Sequence, residues 1–202
     1  MVKTKVSATR TLVECAMLVA LAFALSAVSG IIPSMPFGGS FTILSTLPII
    51  AASLRHGGKW GVATAMVYSV TQLMMGMGNV VAVPVKTLWY MVLCALLDYV
   101  LAYSVLGFAG PIAKRFKNAV LGLVMGILIT GMLRFTCSVV SGIIVWDNIL
   151  SSGFPSLWYS LGYNATWCMP DLALVLIAAI PLSRIKALGL VPPREDTKTE
   201  EE

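Results

Sequence analysis

Long apolar runs separated by short basic clusters are the feature of this sequence that most restricts its fold. The runs cover about residues 11–32, 42–54, 60–76, 85–108, 119–146 and 158–182. A helix of about 20 apolar residues spans the hydrocarbon core of a bilayer. With 58% hydrophobic and 11% charged residues, the chain lacks the charge of a soluble domain, where roughly a quarter of residues are charged. We therefore predict an all-α integral membrane protein with six transmembrane helices.

The second run, 42–54, is too short to cross a bilayer alone. The Gly- and Pro-rich stretch 33–41 precedes it and cannot continue a helix. We expect this short span either to be extended by that loop or to be packed among longer neighbours.

The basic residues predict the orientation of the chain. Of the 14 Lys and Arg residues, 12 lie in the tails or in the 55–59, 114–117 and 184–186 clusters, all on the side of the N-terminus. Because basic residues concentrate in cytoplasmic loops, we expect both termini in the cytoplasm and the loops at 33–41, 77–84 and 147–157 outside. Residues 1–190 are predicted to form one transmembrane domain, and 191–202 an acidic tail.

Several function classes are disfavoured. The sequence has no Gly-rich phosphate-binding loop ending in Lys-Ser/Thr, no His-Glu-x-x-His and no Gly-x-Ser-x-Gly motif. The four cysteines fall in apolar runs without metal-ligand spacing, so neither a disulfide framework nor a metal site is expected. The net charge of +5 follows from the basic loops and does not predict nucleic-acid binding. We expect a binding or transport protein, with no cofactor, rather than an enzyme.

Charged residues inside the apolar runs mark a candidate site. Counted from the membrane edges, Asp98, Arg134 and Asp171 lie near mid-depth of the fourth, fifth and sixth runs, where charge is costly and usually functional. Lys86, Tyr90, Cys94 and Asp98 share one helix face, as do Arg134, Ser138 and Ser141. One arginine neutralises only one acid. The second acid is either protonated or reserved for a cationic or hydrogen-bond-donating ligand.

Aromatic residues accompany these charges. Tyr163 and Asn164, Trp167 and Asp171 recur every three or four residues and form a stripe on the sixth helix. Trp60 and Trp158 fit an aromatic belt at the membrane interface. The aromatic residues on the acidic face instead favour stacking on a flat, positively charged heterocycle.

A ridge of small residues runs along the first helix, where Ala16, Ala20 and Ala24 repeat every four positions. Such ridges let another helix approach closely in lipid. The ridge serves either packing within this bundle or the docking of a partner protein.

Several motifs together resemble the S components of energy-coupling factor (ECF) vitamin transporters, in particular their thiamine-specific branch. They are the alanine ridge, the segments 32–42 and 47–57, the segment 97–102 with Asp98, Tyr99 and Ala102, the segment 134–146, and Tyr-Ser-Leu-Gly-Tyr-Asn to Met-Pro-Asp over 159–171. The resemblance implies a six-helix, vitamin-binding subunit in a prokaryotic plasma membrane. It also implies that the alanine ridge docks on a transmembrane coupling subunit that carries two ATPases.

The resemblance assigns site residues as well. Asp98 stands where the family has a helix-four Glu that contacts the ligand ring system, and Ser138 where it has a His on helix five. The predicted substrate-binding residues are Asp98, Tyr99, Arg134, Ser138, Trp146, Tyr159, Tyr163, Asn164, Trp167 and Asp171. The implied ligand is thiamine or a related cationic heterocycle. A vitamin B6 form, a thiamine precursor and a self-sufficient secondary transporter remain as alternatives.

Overall fold

A computed structural model describes residues 7–31, 42–85, 87–146, 156–185 and 188–190 of the chain. The described residues form helices and contain no strand, so the prediction of an all-α fold is confirmed. The helices are α1 (Ala8–Ser29), α2 (Leu47–His56), α3 (Gly58–Met75), α4 (Met77–Val81), α5 (Leu88–Ala113), α6 (Ala119–Val145) and α7 (Ser156–Leu182).

Four helices of the described residues are long and apolar enough to cross a membrane. They are α1, α5, α6 and α7, the last counted from Leu157. The ten-residue α2 and the 18-residue α3 are not among them. The six-span count and the cytoplasmic position of both termini therefore stay predictions, as does the single domain over 1–190. The loop at 33–41 and the acidic tail lie outside the described residues.

The short α2 is packed among longer helices, which is one of the two arrangements expected for it. Pro48 occupies its first turn, where the missing N–H removes no helical hydrogen bond. Its apolar side chains, such as Ile49 and Leu54, are almost completely buried. α2 ends at Gly57, whose φ of +85° suits glycine and turns the chain directly into α3.

α5 is longer and less regular than predicted. The expected end near 108, before Gly110-Pro111, is wrong, because the helix continues to Ala113. A 3₁₀ turn over Val105–Phe108 restarts the helix at Ala109. Pro111 therefore lies in a first turn, where proline is tolerated. A π-helical segment, Ala95–Leu101, occupies the middle of α5, and the loop expected at 77–84 contains the short helix α4.

Close glycine contacts hold the apolar half of the bundle together. A side chain at Gly110 would overlap the backbone of Ser53, and one at Gly122 would meet the carbonyl of Ala113. Ser53 Oγ donates to the Gly107 carbonyl at 2.5 Å and accepts from Gly110 N at 2.9 Å. Small residues of this kind let membrane helices pack backbone to backbone.

The two ends of the bundle differ. The largest apolar cluster is built around α2 and the last turns of α5, with Ile50, Leu106 and Leu123 among its fully buried members. At that end, Glu14 of α1 pairs with Arg10 and Arg55, and His56 Nε2 lies 3.1 Å from its carboxylate. The opposite end, where α1, α3 and α6 finish and α5 and α7 begin, is polar and contains a cavity.

Candidate ligand-binding site

The cavity has a volume of about 270 Å³. This volume is slightly below the range of about 300 to 1,000 Å³ that is typical of ligand sites, so the cavity has room only for a small molecule. Its walls come from all the long helices and the turn after α3. The lining residues are Ser26, Gly30, Thr42, Gln72, Met75, Gly76, Asn79, Cys94, Asp98, Tyr99, Tyr103, Arg134, Ser138, Gly142, Trp146, Ser160, Tyr163, Asn164 and Trp167.

Eight of the ten predicted binding residues line this cavity, and the other two lie beside it. Tyr159 is 36% exposed, and its ring stacks on Tyr163 with centroids 6.3 Å apart. Asp171 is 2% exposed and binds two lining residues, Arg134 and Thr42. The sequence thus predicted which residues surround the cavity, while the role of each residue in binding stays a prediction. Lys86, which shares a helix face with Asp98, lies outside the described residues.

Arg134 is paired with Asp171. Its Nη1 donates to Asp171 Oδ2 at 2.8 Å, and its Nη2 donates to the Tyr103 hydroxyl at 3.2 Å. The guanidinium carbon also lies 4.7 Å from the ring centroid of Tyr103 and 5.2 Å from that of Trp167. Thr42 Oγ1 donates to the same Asp171 oxygen at 2.9 Å. The arginine charge is therefore compensated by protein groups.

Asp98 is the acid that this arginine does not neutralise. It lies in the π-helical segment of α5, and such widened turns are frequent at functional sites. Its Oδ2 accepts from Ser141 Oγ at 2.5 Å and from Cys94 Sγ at 3.5 Å. Within the described residues, no basic nitrogen lies within ion-pair distance of Asp98. A carboxylate in this position can accept hydrogen bonds from a ligand or compensate its positive charge.

Asn164 and Ser138 form the opposite wall. Asn164 Nδ2 donates to the carbonyls of Ser160 and Ser138, at 2.9 and 3.3 Å, which fixes the amide and joins α7 to α6. A side chain at Gly142 would overlap Ser160 Oγ, so the two helices are close here. The amide oxygen of Asn164 and the hydroxyl of Ser138 make no hydrogen bond to other described residues, and both residues line the cavity.

Two polar residues of the site, Tyr103 and Gln72, were not predicted from the sequence. Tyr103 lies one turn after Tyr99 and binds Arg134. Gln72 Nε2 donates to Ser26 Oγ at 2.8 Å. The signal for both was a polar residue inside an apolar run, which usually has a buried partner. Trp158, by contrast, is 66% exposed, as an interfacial aromatic residue should be.

The fold and the site together define a class: a helical membrane protein with a small-molecule site that is acidic and aromatic. Residues 12–189 match the family model described as "Thiamine transporter protein (Thia_YuaJ)". The chain belongs to this family, which confirms the thiamine-specific resemblance noted in the sequence.

A relative agrees with this assignment, and a solved structure agrees with the fold. The chain is 32% identical to "Thiamine transporter ThiT" of Bacillus subtilis (strain 168) over 176 residues, which cover 82% of this chain and 86% of that protein. Its fold matches the solved structure of ThiT from Listeria monocytogenes with a TM-score of 0.68 and 19% identity, over 90% of this chain and 97% of that one. The predictions of a multi-pass protein of the bacterial plasma membrane, and of a transport protein rather than an enzyme, are confirmed.

Proposed function

We propose that this protein binds thiamine in the cavity and serves as the S component of an ECF-type importer. The observation that carries the proposal is Asp98, a carboxylate at the cavity without a basic partner among the described residues. Thiamine combines a permanently cationic thiazolium ring with an aminopyrimidine ring. Asp98 accepts hydrogen bonds from the aminopyrimidine and compensates part of the ligand charge.

The other walls suit the same ligand. Trp146, Tyr163 and Trp167 line the cavity and supply faces on which flat rings stack. Cationic rings gain further from aromatic faces through cation–π attraction. Asn164 and Ser138 contribute an amide oxygen and a hydroxyl for polar substituents. The matching family and the Bacillus relative are both described as thiamine transporters, which supports thiamine as the ligand.

The serine at position 138 is an observation that favours a second candidate ligand. It lines the cavity at the position where the resemblance implies histidine, and a hydroxyl is smaller and never cationic. A thiamine precursor or a vitamin B6 form would use the same carboxylate and stacking faces. Equilibrium binding of labelled thiamine to the purified protein tests the choice. We expect one site per chain with a Kd below about 1 μM, and competition by pyridoxine or by the isolated pyrimidine at concentrations at least about a hundredfold higher.

The orientation of the protein follows from its basic residues. The described basic residues at the ends of the helices, such as Arg55, Lys59 and Lys114, lie at the end of the bundle opposite the cavity. Basic residues favour the cytoplasmic side. The cavity then opens outward, both termini are cytoplasmic, and α1 to α3 and α5 to α7 are the six spans. Such a site captures the vitamin from outside the cell.

Energy for import comes from a separate partner in this proposal, because the sequence contains no phosphate-binding loop. Ala16, Ala20 and Ala24 are all exposed on α1, while Ala22 faces the core with 0% exposure. The ridge is thus not used for packing among the described residues. It offers a close-approach surface to a transmembrane coupling subunit with two ATPases.

Replacing Ala20 with Trp is expected to abolish ATP-dependent thiamine uptake by cells while the purified protein still binds thiamine. The bulky side chain would separate the two helix backbones without reaching the cavity. Leu21→Trp is the matched control, because Leu21 is the next residue and is also exposed at 50%, but points about 100° away from Ala20. Loss of thiamine binding in Ala20→Trp would show that the ridge packs internally. Wild-type uptake by cells that carry Ala20→Trp would show that the ridge is not part of the docking surface.

A further inference from the structure

The two carboxylate oxygens of Asp98 have different surroundings. Oδ2 accepts from Ser141 Oγ at 2.5 Å and lies 3.5 Å from Cys94 Sγ. Oδ1 makes no hydrogen bond to any described residue, although Asp98 lines the cavity. One oxygen of the carboxylate, Oδ2, is therefore held by hydrogen bonds, and the other, Oδ1, has no partner among the described residues.

The backbone around Ser141 is held in place by α7. Ser141 is completely buried, and it is not among the residues that line the cavity. The surrounding turn of α6 is tied to α7, because Ser160 Oγ donates to the Val139 carbonyl at 2.9 Å and Asn164 Nδ2 donates to the Ser138 carbonyl. The Ser141 hydroxyl thus projects from a backbone that is held in place, and it donates to Asp98 across the interface between α5 and α6.

We propose that Ser141 is a positioning residue for ligand binding. It holds Asp98 Oδ2 so that Oδ1 faces the cavity with its lone pairs ready for an N–H donor or a cationic ring. The terminal torsion of an aspartate is broad and roughly two-fold, so without a fixed partner the carboxylate turns among several orientations. The Cys94 thiol is a weak donor and does not replace the hydroxyl. This inference rests on the proposed thiamine site.

A double-mutant cycle tests whether Ser141 acts through Asp98. Labelled thiamine is titrated, up to millimolar concentration, into the wild type, Ser141→Ala, Asp98→Asn and the protein with both substitutions. A lost hydrogen bond to a charged group weakens binding by about tenfold or more. We expect about a tenfold loss for Ser141→Ala when Asp98 is present and less than about a twofold further loss in the Asp98→Asn protein.

Two further variants separate positioning from a general packing effect. Ser141→Cys keeps a weaker donor at the same place, and its affinity should lie between those of the wild type and Ser141→Ala. Thr130→Ala removes another fully buried hydroxyl of α6, one that donates to the Gly126 carbonyl away from the cavity, and should leave the affinity unchanged.

The outcomes are distinct. Wild-type protein that does not bind thiamine overturns the proposed function. Wild-type binding with an unaffected Ser141→Ala protein, or with equal losses from Ser141→Ala in both backgrounds, overturns the positioning role alone. A loss from Thr130→Ala as large as that from Ser141→Ala would also contradict it, because any buried hydroxyl of α6 would then have the same effect.

Discussion

Replacing Asp98 with asparagine is expected to weaken thiamine binding by at least about a hundredfold. Asparagine keeps the shape of the side chain but removes the charge and replaces one acceptor oxygen with a donor. Loss of one member of a buried, hydrogen-bonded charge pair removes about 2 to 5 kcal/mol, and about 2.8 kcal/mol corresponds to a hundredfold. Equilibrium titration with labelled thiamine measures the change.

The same substitution should not destabilise the empty protein. Asp98 has no basic partner among the described residues, and a half-buried charge without one is unfavourable inside a membrane. The midpoint of thermal unfolding without ligand should stay the same or rise. An Asp98→Asn protein that binds thiamine with wild-type affinity would contradict the assigned role, whereas a lower midpoint with weaker binding would indicate a structural role.

Replacing Asp171 with asparagine should have the opposite effect on stability. It leaves the guanidinium of Arg134 buried, at 4% exposure, without its carboxylate. Breaking a buried ion pair by removing one partner destabilises by about 3 to 5 kcal/mol. The unliganded variant should therefore unfold at a clearly lower temperature in a thermal denaturation assay.

The double substitution Arg134→Met with Asp171→Leu provides the control for this pair. Replacing both charges with apolar residues of similar volume is often neutral. We expect the double variant to recover most of the unfolding midpoint lost in Asp171→Asn. A wild-type midpoint for Asp171→Asn, or a double variant as unstable as the single one, would show that the ion pair is not what this part of the bundle depends on.

The helices could be predicted from the sequence because apolar runs of about 20 residues have few alternatives in lipid. The ends of the helices were harder to predict. Gly110-Pro111 has the composition of a helix end, yet α5 continues because the preceding 3₁₀ turn places Pro111 in a new first turn. Whether α2, with ten residues, crosses a membrane depends on its neighbours and not on its own apolarity.

The site was predictable as a neighbourhood, because Asp98, Arg134 and Asp171 are charges within apolar runs. Which acid pairs with Arg134 could not be predicted, since that depends on how the helices are rotated against one another. The structure pairs Arg134 with Asp171. The π-helical turn around Asp98 and the Tyr103 contact have no signal in helical spacing alone.

Mass spectrometry of the small molecule released from gently purified protein tests the central proposal most directly. The protein is produced in cells grown with thiamine, isolated without detergent exchange or extensive washing, and denatured to release its ligand. We expect thiamine in near-equal amount to the wild-type chain and its absence from the Asp98→Asn protein prepared in parallel. A different vitamin, or equal thiamine in both preparations, would contradict thiamine binding at Asp98.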